Sequence, residues 1–214
     1  MGYTIILPGW GVPISEYEGV GADLIVDYGF WGNTPLSLEA PSEWLDSLIP
    51  NGKSYRLIAH SMGALFALRT SQLRDSASEI IICGGFSKFV KSDDNIYGQP
   101  PETVDLMLNQ LKKNPFILLK SFYRTMNAPD KRLIKMPNVE INNEQLEIGL
   151  NVLKNCDIRN DLSSINLPVK IFHGEDDRIA SYKLANELTE NISNSSCEIL
   201  PAKGHSFHFF KKLL

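Results

Sequence analysis

A run from Tyr55 to Ala59, apolar but for Arg56, leads into Ser61, and a helix-favouring run, Ala64 to Leu68, follows at once. A strand that turns this sharply into a helix lifts the intervening serine hydroxyl clear of the sheet. Such a turn strains the backbone at the serine, and bulky side chains two residues to either side would clash. Small residues are therefore required at 59 and 63, where the chain has Ala59 and Gly63. The pattern is A-x-S-x-G where G-x-S-x-G is usual, and a methyl group at 59 is a mild departure. Alone, a serine between small neighbours also fits a polar turn, so its reading depends on partners elsewhere.

Those partners occur in an informative order. Val169 to His173 reads as a strand that runs into Gly174–Glu175–Asp176–Asp177–Arg178–Ile179. Cys197 to Leu200 reads as another, ending in Pro201–Ala202–Lys203–Gly204–His205–Ser206. Serine, acid and histidine thus appear in that chain order, unlike the orders in two unrelated serine-protease folds. Each group follows a predicted strand, where the carboxyl edge of an open parallel sheet places its functional loops.

With these motifs the chain resembles the α/β-hydrolases over nearly its whole length. Pro8–Gly9–Trp10–Gly11, after Ile5–Ile6–Leu7, resembles an H-G-W-G oxyanion loop with Pro8 in place of histidine. Gly174–Glu175–Asp176–Asp177 resembles the family's G-x-x-D and points to Asp177 as the acid, and Gly204–His205 resembles its Gly-His. Leu146 to Arg159 resembles a G-L-x-x-L-x-x-x-D-x-R stretch of the pimeloyl-acyl-carrier-protein methyl ester esterases of biotin synthesis. The resemblance implies a mainly parallel sheet flanked by helices, with a helical cap. Two strands that often precede the oxyanion loop in that family are missing, so a sheet trimmed at its N-terminal side is expected.

The 214 residues suit one domain with a sizeable core. No run approaches the roughly 20 apolar residues of a membrane-spanning helix, and no secretory pattern opens the chain. Three widely separated cysteines show no metal spacing; Cys83 and Cys197 read as buried thiols of a reducing cytoplasm. A formal net charge of −4 argues against nucleic acid as a partner.

Further strands are predicted at Tyr3 to Leu7, Leu24 to Val26 and Ile80 to Cys83, the last apolar throughout as a central parallel strand should be. Helices are predicted over Ser42 to Leu48, capped by Ser42, and Ala64 to Gln72. From about 86 to 160 the alternation breaks. Helical patterns at Val104 to Lys112, Phe116 to Met126 and Asn143 to Lys154 are separated by prolines. This stretch reads as a cap inserted in a core of residues 1–85 and 161–214, or as a helical subdomain with a packing role. Helices at Tyr182 to Asn191 and Phe207 to Leu214 complete the chain.

The chemistry expected follows from these residue types. A serine hydroxyl needs a base within hydrogen-bond reach. An imidazole, with an ordinary pKa of about 6.5, can take the proton and return it to the leaving group. His205 is assigned that role, Ser61 that of nucleophile, and Asp177 holds the imidazole's tautomer. The backbone N–H groups of Trp10 and Met62 would stabilise the oxyanion, each worth on the order of 3 kcal/mol of barrier. Among rivals, His60 and His173 read as structural, and His208 is the rival base. Glu175 and Asp176 compete with Asp177, and Asp157 reads as a helix-end or salt-bridge residue. No cofactor or metal is called for.

In an otherwise acidic chain, Lys112, Lys113, Lys120, Arg124, Lys131, Arg132 and Lys135 stand against one acid, Asp130. If Lys113, Lys120, Arg124 and Arg132 share a face, they offer a docking patch for an acidic acyl carrier protein. The bland reading is a solvated helix face. Leu108, Leu111, Phe116, Leu119, Phe122 and Met126 read chiefly as core. Together these features predict a cytoplasmic serine carboxylesterase acting on a pimeloyl-carrier-protein methyl ester. A general short-chain esterase, a thioesterase or a C–C bond hydrolase on the same scaffold, and a non-catalytic binding protein, are the alternatives.

Overall fold

The computed structural model describes residues 2–32, 35–49, 52–70 and 77–214, without the side chains of Ser42 and Asp46. Six strands form one sheet: β1 (Tyr3–Leu7), β2 (Leu24–Ile25), β3 (Tyr55–His60), β4 (Ala77–Cys83), β5 (Val169–Gly174) and β6 (Ser195–Leu200). Their order is β2-β1-β3-β4-β5-β6, and every pairing is parallel. The interior strands are buried on both faces, which is why Ile5–Ile6–Leu7, Leu57–Ile58–Ala59 and Ile80–Ile81–Ile82 read as unbroken apolar runs. The two edges are handled differently: β2 is only two residues long, and β6 alternates half-buried with exposed residues.

The first strand lies one in from the edge of the sheet; the chain steps outward from β1 to β2, then crosses back to β3 on the other side of β1. The strand order therefore reverses between β1 and β3. A crevice opens at such a point beyond the carboxyl ends of the strands. The Pro8–Gly9–Trp10 loop leaves β1 there, and Ser61 leaves β3 there.

Helices α1 (Pro41–Leu48) and α2 (Gly63–Thr70) flank the sheet, and α6 (Lys183–Asn191) packs against β5 and β6. Every residue of α2 except Arg69 is buried, so this helix forms part of the core. The capping role read for Ser42 falls on a side chain outside the described set, and the predicted Ser71 and Gln72 end of α2 lies outside the described residues.

Between β4 and β5 lie α3 (Pro101–Lys113), α4 (Pro115–Asn127) and α5 (Asn143–Asn155). Proline begins both α3 and α4, a position where its missing N–H costs nothing. Asn114 serves both helices: its N–H donates to Gln110 O at 2.8 Å, and its side chain accepts from Ile117 N at 3.0 Å. At the start of α5, Gln145 Nε2 donates to the carbonyls of Tyr28 and Leu36, each at 2.7 Å, anchoring α5 to the loop that follows β2.

Two expectations need correction. The final predicted helix is instead two short 3₁₀ turns, Phe207–Phe209 and Lys211–Leu213. Phe207 and Phe210 are fully buried, and packing these two rings three residues apart suits a tighter turn. Phe116, assigned to the core, is 53% exposed, whereas Leu111, Leu119 and Met126 are buried as expected. Cys197 is half-buried and Cys83 fully so.

Candidate active site

The turn after β3 has the geometry that its small residues imply. Ser61 has φ +53°, a left-handed conformation that costs an ordinary L-residue roughly 1–2 kcal/mol. Its N–H donates to Cys83 O at 3.0 Å, which fastens the turn to β4. A Cβ at Gly63 would stand 2.1 Å from Leu7 O, so no larger residue fits where α2 passes the end of β1. Ala59 is fully buried.

Three side chains from β3, β5 and β6 loops meet here. His205 Nε2 lies 2.8 Å from Ser61 Oγ, and His205 Nδ1 lies 2.6 Å from Asp177 Oδ2. A carboxylate only accepts, so Nδ1 carries the proton and Nε2 faces the serine hydroxyl as an acceptor. Asp177 accepts three hydrogen bonds, and a fourth nitrogen, His173 Nε2, stands 3.1 Å from it. Ile179 N and Ala180 N reach Oδ1 at 2.7 and 2.9 Å, while His205 and His173 reach Oδ2. Burial works against the charged carboxylate, but the His205 charge and the histidine hydrogen bonds outweigh it and hold its pKa well below the usual range.

The competing residues go elsewhere. Glu175 and Asp176 are exposed. Asp157 pairs with Lys88 at 3.0 Å and with Arg159 at 2.7 Å, and the Arg159 hydrogen bond depresses its pKa. His208 contacts Ser206 Oγ and, at 3.3 Å, Asp130. His60 is fully buried and hydrogen-bonded at both ring nitrogens, and burial lowers its pKa to about 3. His173, assigned to the core, is also buried, yet its Nε2 lies 3.1 Å from Asp177 Oδ2 and 2.9 Å from Ala180 O. Its position four residues before Asp177 could have signalled this, because β5 ends between them.

Trp10 and Met62 stand at the ends of β1 and β3. Among the described residues neither main-chain N–H donates to a protein acceptor. The Trp10 indole N–H donates to Leu146 O at 2.9 Å, and Tyr123 Oη donates to Gly11 O at 2.6 Å, so α4 and α5 both hold the loop after β1. The Trp10 side chain borders a cavity of about 210 Å³ that contains Ser61. Met107, Leu118, Phe122 and Leu153 form much of its wall, with Gln99 and Arg178 as polar members. The Met62 side chain is fully buried and does not line it. A larger cavity of about 500 Å³, bordered by Val12, Phe30, Trp31 and Val139, includes none of Ser61, Asp177 or His205. Chemistry, not volume, marks the smaller one as the site.

Of the four cations singled out for docking, Lys120, Arg124 and Arg132 border one depression on α4, together with Phe116 and Leu133. Lys113 is not part of it. Arg132 forms a two-pronged pair with Glu16, reached at 3.0 Å by its second nitrogen, so its charge is largely answered. Lys112 pairs with Glu147 at 3.4 Å. A neighbouring depression joins Arg124, Lys131 and Arg132 to Arg178, and Arg178 also borders the Ser61 cavity.

Residues 46–210 match the Hydrolase_4 family, described as serine aminopeptidase, S33. The chain belongs to this family of α/β-hydrolases. It is 26% identical over 165 residues to the AB hydrolase superfamily protein YisY of Bacillus subtilis; the match covers 73% of this chain and 61%, less than two thirds, of that protein. It is 22% identical to the pimeloyl-acyl-carrier-protein methyl ester esterase of Nitrosomonas europaea, with 94% of this chain and 88% of that one aligned. The fold is like that of an esterase from Exiguobacterium antarcticum (TM-score 0.83, 21% identity, 100% of this chain and 91% of that one). The family match supports a hydrolase. No described helix of this hydrolase is long and apolar enough to cross a membrane.

Proposed function

We propose that the chain is a serine carboxylesterase that works through an acyl-Ser61 intermediate. The observation that carries this reading is the continuous hydrogen-bonded line Asp177–His205–Ser61, opening into an apolar cavity. As Ser61 Oγ bonds to the ester carbonyl carbon, its proton passes to His205 Nε2. Asp177 stabilises the resulting imidazolium, and the negative carbonyl oxygen is met by the N–H groups of Trp10 and Met62. The tetrahedral adduct collapses when His205 returns the proton to the departing alcohol. A water, deprotonated by the same nitrogen, then attacks the acyl-enzyme and releases the acid.

Ester chemistry suits this cavity better than an aminopeptidase reaction. A peptide's free N-terminus is cationic, yet the cavity's walls carry no acid and do carry Arg178. Its volume, below the roughly 300–1,000 Å³ of drug-sized sites, suits a narrow acyl group.

The substrate we favour is the methyl ester of a pimeloyl chain carried by an acyl carrier protein, in biotin synthesis. Relatives bearing that activity in their names align along most of the chain. Lys120 and Arg124 beside exposed Phe116 and Leu133 suit an acidic carrier, with the helices of residues 86–160 acting as a cap over the cavity. Lys113 and Arg132 are weaker contributors, one set apart and the other paired with Glu16. A general short-chain esterase or thioesterase is the second reading, favoured by the cavity's size. Labelling of Ser61 by a fluorophosphonate, absent in Ser61→Ala, tests the nucleophile. Rescue of a biotin auxotroph lacking its methyl esterase, with a preference for carrier-linked over free methyl esters, tests the substrate. Equal rates on both esters would favour the general esterase.

A further inference from the structure

A second hydrogen-bonded line runs behind the first and shares no side chain with it. Gly9 N–H donates to Tyr17 Oη at 2.7 Å, and Tyr17 Oη lies 2.7 Å from His60 Nδ1. His60 Nε2 lies 2.9 Å from the main-chain oxygen of His205. Only one set of proton positions satisfies all three contacts with a neutral imidazole. A carbonyl oxygen can only accept, so His60 carries its proton on Nε2. His60 Nδ1 is then bare and must accept, so the phenol hydroxyl points at it. The phenol oxygen is left free to accept from Gly9, as the amide geometry requires.

The ends of this line are two working parts of the site. Gly9 precedes Trp10, whose N–H faces the developing oxyanion, and His205 is the base. Tyr17 belongs to the short turn Ile14–Tyr17 that follows the loop after β1, while His60 ends β3 one residue before Ser61. Three loops that converge on one reacting carbon are thus linked through two side chains. Tyr17, His60 and His205 are all fully buried, so water cannot replace any member of the line. The rings also pack on one another: Tyr17 lies 4.6 Å from Phe207, and His60 lies 5.6 Å from Phe207 and 5.2 Å from the His205 ring. A Cβ on Gly9 would come within 2.9 Å of His60 Nδ1 and 3.1 Å of Ser61 Cβ, which fixes how close the loop sits.

We propose that Tyr17 and His60 are positioning residues that set the distance between the oxyanion donor at Trp10 and the base at His205. The proposal rests on the esterase reading. Oxyanion stabilisation demands donors 2.7–3.1 Å from the oxyanion, and a misplacement of about 1 Å can cost on the order of 100-fold in rate. Removing the Tyr17 hydroxyl leaves Gly9 N–H and His60 Nδ1 buried without partners, so the loop carrying Trp10 moves to satisfy them. Substrate binding, made by the cavity walls, is affected little. The loss therefore falls on the transition state.

The experiment compares wild type, Tyr17→Phe, His60→Phe and the double variant, with rates expressed per site titrated by a fluorophosphonate. Tyr17→Phe is expected to lower kcat about 10- to 100-fold, with KM within about twofold. Its affinity for an alkyl boronic acid, which forms a tetrahedral adduct with Ser61, falls in parallel. The double variant falls no further than the worse single one, because both break the same line. In the wild-type protein, ¹⁵N NMR of the His60 ring is expected to report the Nε2–H tautomer from pH 6 to 8. A Nδ1–H ring or an imidazolium there overturns the proposal without any variant. So does wild-type kcat per titrated site in Tyr17→Phe, or additive losses in the double variant. Failure of the wild-type protein to label at Ser61 overturns the esterase reading and the proposal with it. Normal labelling with unaltered Tyr17→Phe kinetics overturns the proposal alone.

Discussion

The crevice at the end of β1 and β3 and the outer face of α4 solve opposite problems. In the crevice the line of titratable side chains is buried and answered: Asp177 accepts three hydrogen bonds, and His60 and His205 are bonded at both ring nitrogens. Preorganised dipoles in a dry site act strongly because nothing there must reorient as charge develops. On α4 and the segment after it, Phe116, Ile117 and Leu133 are 53%, 54% and 85% exposed beside Lys120 and Arg124. Among the described residues no ion pair engages those two cations. Under the proposed function, chemistry falls where geometry is overdetermined and recognition where side chains can adapt. The contrast teaches that changes in the two regions should separate turnover from partner choice.

The largest break in that contrast is at the serine. Ser61→Ala is expected to lower kcat by on the order of 10⁴-fold or more on every ester, carrier-linked or free, as measured by steady-state hydrolysis. Residual activity within tenfold of wild type would remove Ser61 from the mechanism.

Next in size is the surface. Lys120→Glu with Arg124→Glu is expected to lower kcat/KM on carrier-linked ester about 10- to 100-fold at low salt, with the gap narrowing as salt rises. Hydrolysis of a free p-nitrophenyl ester should stay within twofold. If both substrates lose equally, the two regions are not separable in this way.

A smaller effect is expected at His173. His173→Phe removes the ring nitrogen that stands 3.1 Å from Asp177 Oδ2, leaving a more basic oxygen facing His205. The imidazolium is then stabilised, so the acid limb of kcat/KM against pH should move upward, with kcat about tenfold lower. His173→Gln, whose amide nitrogen can reach the same oxygen, should restore both. A loss of melting temperature with an unmoved pH limb would assign His173 to packing alone.

The smallest effect is on stability. Burial holds the folded pKa of His60 at about 3, while a histidine in the unfolded chain titrates near 6.5. Between these values the unfolded state binds one more proton, so stability falls as pH drops, by about 1.4 kcal/mol per pH unit from this group. The Asp177 pKa is depressed too, so its contribution is present above about pH 3.9 and is lost only as the pH falls further. Urea titrations from pH 7 to 4 should therefore show a shallower pH slope in His60→Gln than in wild type. Equal slopes would mean that His60 is protonated when folded.

Much of the scaffold could be read in advance because its causes are local. Continuous apolar runs mark strands covered on both faces, and the prolines at 101 and 115 mark helix starts. Small residues at 59 and 63 mark a tight turn, although the atom that forbids a side chain at 63 is the Leu7 carbonyl on the neighbouring strand. The last segment reads as one helix because Phe207 and Phe210 are three residues apart, a spacing that both α and 3₁₀ turns accept and that does not separate them.

By itself the sequence determined the order of strands and helices, the strained turn at Ser61, and a serine–acid–histidine order unlike that of two unrelated serine-protease folds. These depend on sterics and periodicity within a few residues. Tertiary structure alone decided which polar groups meet. It brought Tyr17 to His60, added His173 to Asp177, and gave Arg132 to Glu16, 116 residues away. A hydrogen bond tolerates only a few tenths of an ångström. Pairings between distant residues therefore depend on how the whole sheet and its loops close, which no local pattern records.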